Sequence, residues 1–226
     1  PVTPERGVLS EADFLFRDDY LVVINKPSGL NVHRGTGTDR ITALSEVRNI
    51  TGVWVHPVHR LDRATSGALL FTLDRQWVAP LQSQFQNNVV YKRYLALVRG
   101  TPKERGLIDH PIPRTHGGPR VSAKTRYEVQ GVFERHAWGA MQPLTGRMHQ
   151  LRRHMKHIFH PIIGDTTYGD GRVNREFRSR FALHRLALHA AELRFEHPTS
   201  GAVIEAQAPM PDDLSRPLSR MGITML

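Results

Sequence analysis

His59-Arg60-Leu61-Asp62-Arg63-Ala64-Thr65-Ser66-Gly67-Ala68-Leu69-Leu70-Phe71 places one carboxylate between two guanidinium groups at the mouth of an apolar run. Residues 65–71 have the length and apolar continuity of a buried strand. Upstream, residues 14–16 and 21–24 read as two strands around the turn Arg17-Asp18-Asp19, and Pro27-Ser28-Gly29 breaks the second. Residues 42–49 read as a short helix. Downstream, Asp74 suits the N-cap of a helix carrying Trp77, Leu81 and Phe85 at i, i+4 and i+8. Residues 89–98 form the next strand, with Lys92 and Tyr94 on one face and Tyr91 and Arg93 on the other. Residues 101–124 read as a long loop or hairpin, followed by strands around 127–133 and 138–144. Thr145-Gly146 then opens a helix from Arg147 to about His157. Residues 164–180 read as a second solvent-facing loop, and 186–195 and 202–206 as two final strands. The expected class is α+β, strand-dominated, with two or three helices. Residues 1–12 read as a flexible lead-in and 13–226 as a single domain.

Thirty-one Lys and Arg stand against 21 Asp and Glu, a net charge of +10 in 226 residues. The corresponding pI is 10.6. A globular chain this basic most often meets a polyanion, and nucleic acid leads the candidates. The apolar runs are too short to span a membrane. The opening lacks a charged-then-apolar leader, so no secretory signal is expected, and Pro1 in place of Met points to a trimmed start. The chain is expected to be cytoplasmic, which the lack of cysteine fits, and a monomer. The absence of cysteine excludes a disulfide framework, a CxxC zinc site, an iron–sulfur cluster and any thiolate nucleophile. Gly35-Thr36-Gly37 lacks the third glycine of a dinucleotide loop, and no GxxxxGK[ST] occurs. His149, His154, His157 and His160 cluster, but no HExxH or carboxylate pair accompanies them, so no metal is expected.

Three stretches can carry chemistry. Cationic neighbours favour the ionised form of Asp62, and desolvation by a bound substrate would strengthen it as a nucleophile. An ion-paired surface aspartate is the ordinary reading of such a residue. Leu144-Thr145-Gly146-Arg147-Met148-His149-Gln150-Leu151-Arg152-Arg153-His154 gives a helix start suited to an anion and a basic face suited to a nucleic-acid backbone. Tyr94, on a strand beside Lys92 and Arg93, can stack on a base while its hydroxyl moves a proton.

In this order the three stretches resemble the RluA family of RNA pseudouridine synthases. The matches are His59-Arg60-Leu61-Asp62-Arg63 with Thr65-Ser66-Gly67, then Lys92-Arg93-Tyr94, then Thr145-Gly146-Arg147 with His149-Gln150-Leu151-Arg152. Asn25-Lys26-Pro27-Ser28-Gly29, His160-Pro161-Ile162-Ile163-Gly164-Asp165 and Leu188-His189-Ala190 support them. The resemblance implies a mixed, mainly antiparallel sheet with flanking helices and a central RNA-binding cleft. It implies that a uridine in RNA is detached at C1′–N1, turned and rejoined through C5, with no cofactor. Asp62 matches the catalytic aspartate, which attacks C1′ or C6 or removes a ribose proton. Tyr94 matches the tyrosine that stacks on the base and helps remove the C5 proton, and Arg152 the arginine that pairs with the aspartate. Arg60 matches the residue that fills the space left by the flipped base. His59, Arg63, Arg147, His149 and Arg153 are expected RNA contacts. The runs from Gln150 to His154 and from His160 to Asn174 look most like the branch that modifies uridine 65 in the tRNA T stem. The shorter segment between Gly100 and Thr125 departs from that branch and keeps ribosomal RNA as the alternative. A non-catalytic RNA-binding protein on the same scaffold is a further alternative. No separate N-terminal RNA-binding domain is expected, because the first matching strand begins near Phe14.

Overall fold

The computed structural model describes residues 8–34, 41–114 and 117–223. Strands β1 (Phe14–Arg17) and β2 (Leu21–Lys26) form a hairpin. The Asp18 carboxylate closes its turn by accepting from the N–H groups of Tyr20 and Leu21. Helix α1 (Ala43–Thr51) opens on a reciprocal cap between Thr42 and Ser45 and stops at Gly52. Strands β3 (His56–Pro57) and β4 (Ser66–Thr72) follow. Asp74 caps a short 3₁₀ turn, Arg75–Trp77, which leads into α2 (Val78–Gln86). Next come β5 (Tyr91–Arg99), β6 (Arg105–Asp109), β7 (Ile112–Pro113), β8 (Arg120–Val121), β9 (Lys124–Phe133) and β10 (His136–Pro143). The chain continues through α3 (Gln150–His157), α4 (Gly171–Phe181), β11 (Leu188–Glu196), β12 (Val203–Gln207) and α5 (Asp212–Arg220).

Ten strands make one mixed sheet in the order β1-β2-β4-β11-β5-β10-β9-β6, with β12 on β11 and β3 on β4. The β4–β11 ladder is parallel; the other ladders between these strands are antiparallel. Both faces are covered in the middle. Val22, Ile24, Leu69 and Phe71 pack with α1, while Leu21, Val23, Ala68 and Leu70 pack with α2 on the other side. Successive residues of β2 and β4 therefore point into two different cores, which is why neither strand alternates polar with apolar. A third apolar cluster lies under α3, α4 and α5, built from Leu97, Trp138, Met155, Phe177, Leu214 and Leu218.

The mixed, mainly antiparallel sheet with flanking helices is as expected, and several elements differ. Residues 164–180 are not a loop throughout: α4 is capped by the Asp170 carboxylate and buries Phe177 and Phe181. With α5, the described residues hold five α-helices rather than two or three. Part of 101–124 joins the sheet as β6, and β7–β8 form a separate small hairpin. Helix α3 begins at Gln150, not at Arg147, because His149 sits in the left-handed region at φ 54°. Of the expected lead-in, residues 1–7 lie outside the described residues, as do Gly35-Thr36-Gly37. Residues 8–12 are held: the N–H groups of Val8 and Leu9 donate to the Glu46 carboxylate, and Leu9 is buried. No helix among the described residues is long and apolar enough to cross a membrane.

Candidate active site

The parallel pair β4–β11 positions the loop that carries Asp62. Gly67 has φ +115°, and a Cβ built there would lie 2.1 Å from the Ala190 carbonyl oxygen, so only glycine permits this approach. The backbone of residues 62–64 is tied from below. Thr65 N–H donates to the Asp62 carbonyl at 3.0 Å and Gly29 N–H to that of Arg63 at 2.8 Å. Ser28 Oγ donates to the Ala64 carbonyl at 2.8 Å. Fully buried Lys26 donates to the carbonyls of Pro27, Leu30 and Arg63 at 2.8, 2.8 and 3.2 Å. Burial, reinforced by the Arg185 charge and opposed by Asp62, pushes its pKa down to about 7. The 25–29 stretch marks this segment in the sequence; that Lys26 anchors the loop from inside is visible only in the fold.

Arg152 holds two carboxylates. Nη1 donates to Asp62 Oδ2 at 3.0 Å, while Nε and Nη2 donate to Asp165 Oδ2 and Oδ1 at 2.7 and 2.9 Å. The Asp165 side chain has no exposed surface and accepts further from the N–H groups of Thr167 and Tyr168. Burial alone would raise the Asp165 carboxyl, but the bonds from Arg152 and Tyr168 N–H hold it below its usual range. Burial would likewise weaken the Arg152 cation; the bonds to Asp165 and Asp62 raise it instead. The guanidinium also stacks over the Tyr168 ring at 5.1 Å. Asp165 reads from sequence as a turn residue that could support the cleft; its two-bonded grip on Arg152 emerges from the fold.

Asp62 keeps 20% of its side-chain surface and opens on a cavity of about 390 Å³. Tyr94, Arg152, His149, Arg147, Arg60 and His59 line the same cavity. Tyr94 packs where the α1 and α3–α5 clusters meet. Burial, then the Asp62 charge, holds its phenol well above the ordinary tyrosine range. His149 Nε2 lies 3.6 Å from Asp62 Oδ1, and its Nδ1 shares a hydrogen bond with Tyr168 OH at 3.1 Å. Desolvation lowers the His149 pKa despite the carboxylate. The helix start expected to receive an anion is already filled: Gln150 Oε1 accepts from Arg147 N–H and Thr145 Oγ1.

Several of the expected RNA contacts also bond within the protein. His59 stacks on Phe85 at 4.6 Å, and its Nε2 accepts from Leu70 N–H at 3.1 Å. Burial, with the Lys92 charge, pushes its pKa down to about 3, so it is a neutral packing histidine at the cavity wall. Arg63 donates through Nε to the Gly29 carbonyl, away from the cavity. Arg153 donates to Tyr168 OH at 2.9 Å and to the Pro113 carbonyl at 2.9 Å. Arg60 makes no side-chain hydrogen bond to another described residue and stands exposed at the cavity; Arg147, also exposed there, donates through Nε to the Ser122 carbonyl at 3.1 Å. Among the described residues, no group of three or more His, Asp or Glu is placed to hold a metal ion.

An acid–arginine pair at the wall of a tyrosine-lined cleft on this sheet defines a class, and comparison with known proteins gives its family. The sequence pattern of RNA pseudouridylate synthase matches residues 20–157. A Haemophilus ducreyi protein named tRNA pseudouridine synthase C is 42% identical, covering 83% of this chain and 86% of its own. A Vibrio cholerae protein of the same name is 38% identical, covering 93% and 96%. The solved structure of human RNA pseudouridylate synthase domain containing 4 superposes with a TM-score of 0.78 at 26% identity, over 95% of this chain and 94% of that one. The chain belongs to the RNA pseudouridylate synthase family, as its resemblance to the RluA enzymes implied. It is an RNA pseudouridine synthase, an isomerase that works on uridine in RNA.

Proposed function

We propose that this enzyme isomerises a uridine of tRNA, in the T stem, with Asp62 as the reacting carboxylate and no cofactor. The observation that carries the assignment is Asp62 itself. It is the cavity's carboxylate, one oxygen is held by Arg152 at 3.0 Å, and Tyr94 lines the same cavity. Breaking one C1′–N1 bond and making one C1′–C5 bond suits a single carboxylate rather than the pair most glycosidases use. Arg152 aims the Asp62 carboxylate through its Nη1 bond, and Arg60, exposed at the cavity, would fill the stack the extruded nucleotide leaves. A Tyr94 phenol that stays protonated can take up the C5 proton only by handing its own to a base, for which the Asp62 carboxylate of the same cavity, released once C1′–C5 has formed, is the candidate. Its role is therefore relay and stacking surface, not resident base. The choice of tRNA rests on the names of the relatives and on the run from His160 to Asn174.

The test has two arms. Asp62→Asn, nearly isosteric, should abolish tritium release from C5-labelled uridine in tRNA while RNA affinity stays within a few-fold. Turnover within tenfold of the wild type would remove Asp62 from the chemistry. Pseudouridine mapping in cells lacking the protein should show one missing T-stem site in tRNA, and loss confined to ribosomal RNA would overturn the substrate.

A further inference from the structure

Two lysines are buried among the described residues, and they are treated differently. Lys26 has three carbonyl acceptors. Lys92 is 7% exposed and has neither a hydrogen-bond acceptor nor a carboxylate partner among the described residues; its Nζ lies 5.9 Å from the Phe85 ring centre. Burial without a compensating charge pulls its pKa below the ordinary lysine range. A buried cation with no partner is costly; the amine escapes the cost by giving up its proton, or keeps its charge when an anion arrives. Lys92 lines the cavity that holds Asp62 and Tyr94. It is two residues from Tyr94 on β5, so both side chains leave the same face, roughly 7 Å apart along the strand. That spacing suits a nucleobase and the backbone phosphate of its own nucleotide. The missing partner is a full negative charge, which a phosphodiester carries and a base carbonyl does not.

We propose that Lys92 receives one backbone phosphodiester flanking the target uridine, as a positioning residue that seats the base against Tyr94 and Asp62. The proposal rests on the reading of this cavity as the uridine site. Lys92→Met should raise KM for tRNA about tenfold while kcat falls less than threefold, and Lys92→Arg should recover most of the loss. The slope of log K against log salt should become shallower by about 0.7–0.9. The thermal midpoint should hold or rise, because Met removes an unpaired buried charge. A methylphosphonate placed on the 5′ or the 3′ side of the target uridine should weaken wild-type binding about tenfold at one of the two positions and cost Lys92→Met nothing further. Unchanged KM and salt slope, equal methylphosphonate losses in both proteins, or a kcat collapse with KM intact would each overturn the role. Wild-type turnover on the unmodified tRNA tests the reading of the cavity separately. The salt-slope and methylphosphonate binding arms need no turnover, so they decide Lys92 even if that reading fails.

Discussion

Arg152 and Arg153 are neighbours on α3 with the same charge and different work, because consecutive helical residues point about 100° apart. Arg152 reaches Asp62 and Asp165, whereas Arg153 ends on Tyr168 OH and the Pro113 carbonyl. Arg152→Met leaves Asp165 buried and unpaired, and should lower stability by about 3–5 kcal/mol as well as remove turnover. Arg153→Met should leave the chemistry nearly intact and weaken RNA binding by loosening the β7–β8 hairpin. Urea midpoints together with single-turnover rates separate the two, and equal loss of turnover would show that Arg153 shares the role of Arg152. Tyr94→Phe keeps the ring, so stacking worth about 1–3 kcal/mol survives and affinity barely changes. What it loses is the proton relay. The variant should carry RNA to the rejoined intermediate and stall, releasing little tritium while holding RNA in a long-lived complex. Near-normal tritium release at saturating RNA would reduce Tyr94 to a packing residue.

Among the elements, the parallel β4–β11 pair matters most, because Asp62 enters from one strand and Leu188, at the start of the other, lines the cavity floor. The pair closes only around Gly67. Gly67→Ala forces a Cβ into the Ala190 carbonyl and a non-glycine residue into positive φ, for a loss of about 2–4 kcal/mol. Turnover should fall with it, because β4 cannot shift without moving the 62–65 turn. A thermal midpoint within a degree of the wild type would mean the two strands separate more freely than their register implies. Helix α4 acts on the site from a distance: Asn174 donates to the Asp165 carbonyl at 2.9 Å and accepts from Gly164 N–H at 2.8 Å, fixing the turn that presents Asp165.

For the whole molecule, the consequence of burying histidines is acid sensitivity. His189 is fully buried in β11, beside the site strand. Its Nε2–H donates to the Ala208 carbonyl, so Nδ1 is the acceptor for Ser66 Oγ–H at 2.8 Å, and Arg185 donates to that same Ser66 oxygen. Burial pushes the His189 pKa down to about 4, and that of His59 to about 3. Because the folded pKa values lie below the unfolded value near 6.5, the unfolded chain takes up the protons first. The stability is therefore fully present above about pH 6.5 and is lost as pH falls toward 4, with His189 alone contributing on the order of 3 kcal/mol. Urea midpoints at pH 7.5 and pH 5 should differ accordingly, and His189→Gln should flatten the dependence. A wild-type midpoint that does not move between those pH values would mean that His189 is charged in the fold.

Local pattern carried much of the architecture. The apolar run after Gly67, the turn at Asp18 and the strand through Tyr94 are properties of neighbouring residues, so they are legible without a fold. Asp62, Tyr94 and Arg152 were legible because they sit in distinctive short contexts. Helix α4 was not, because glycine and arginine mask an apolar stripe only three residues long: Val173, Phe177 and Phe181. Side-chain destinations were equally hidden. Arg63 and Arg153 are as basic as Arg60, yet Nε of Arg63 and Nε and Nη1 of Arg153 donate to the protein's own oxygens, and charge in a sequence does not say where each donor points. The pairing of Asp62 with Arg152 joins residues 90 positions apart, and Lys26 reaches Arg63 across 37. Composition and periodicity describe what a segment can do over a few residues; which donor meets which acceptor across the sheet is settled when β4 and β11 close on Gly67 and bring those segments together.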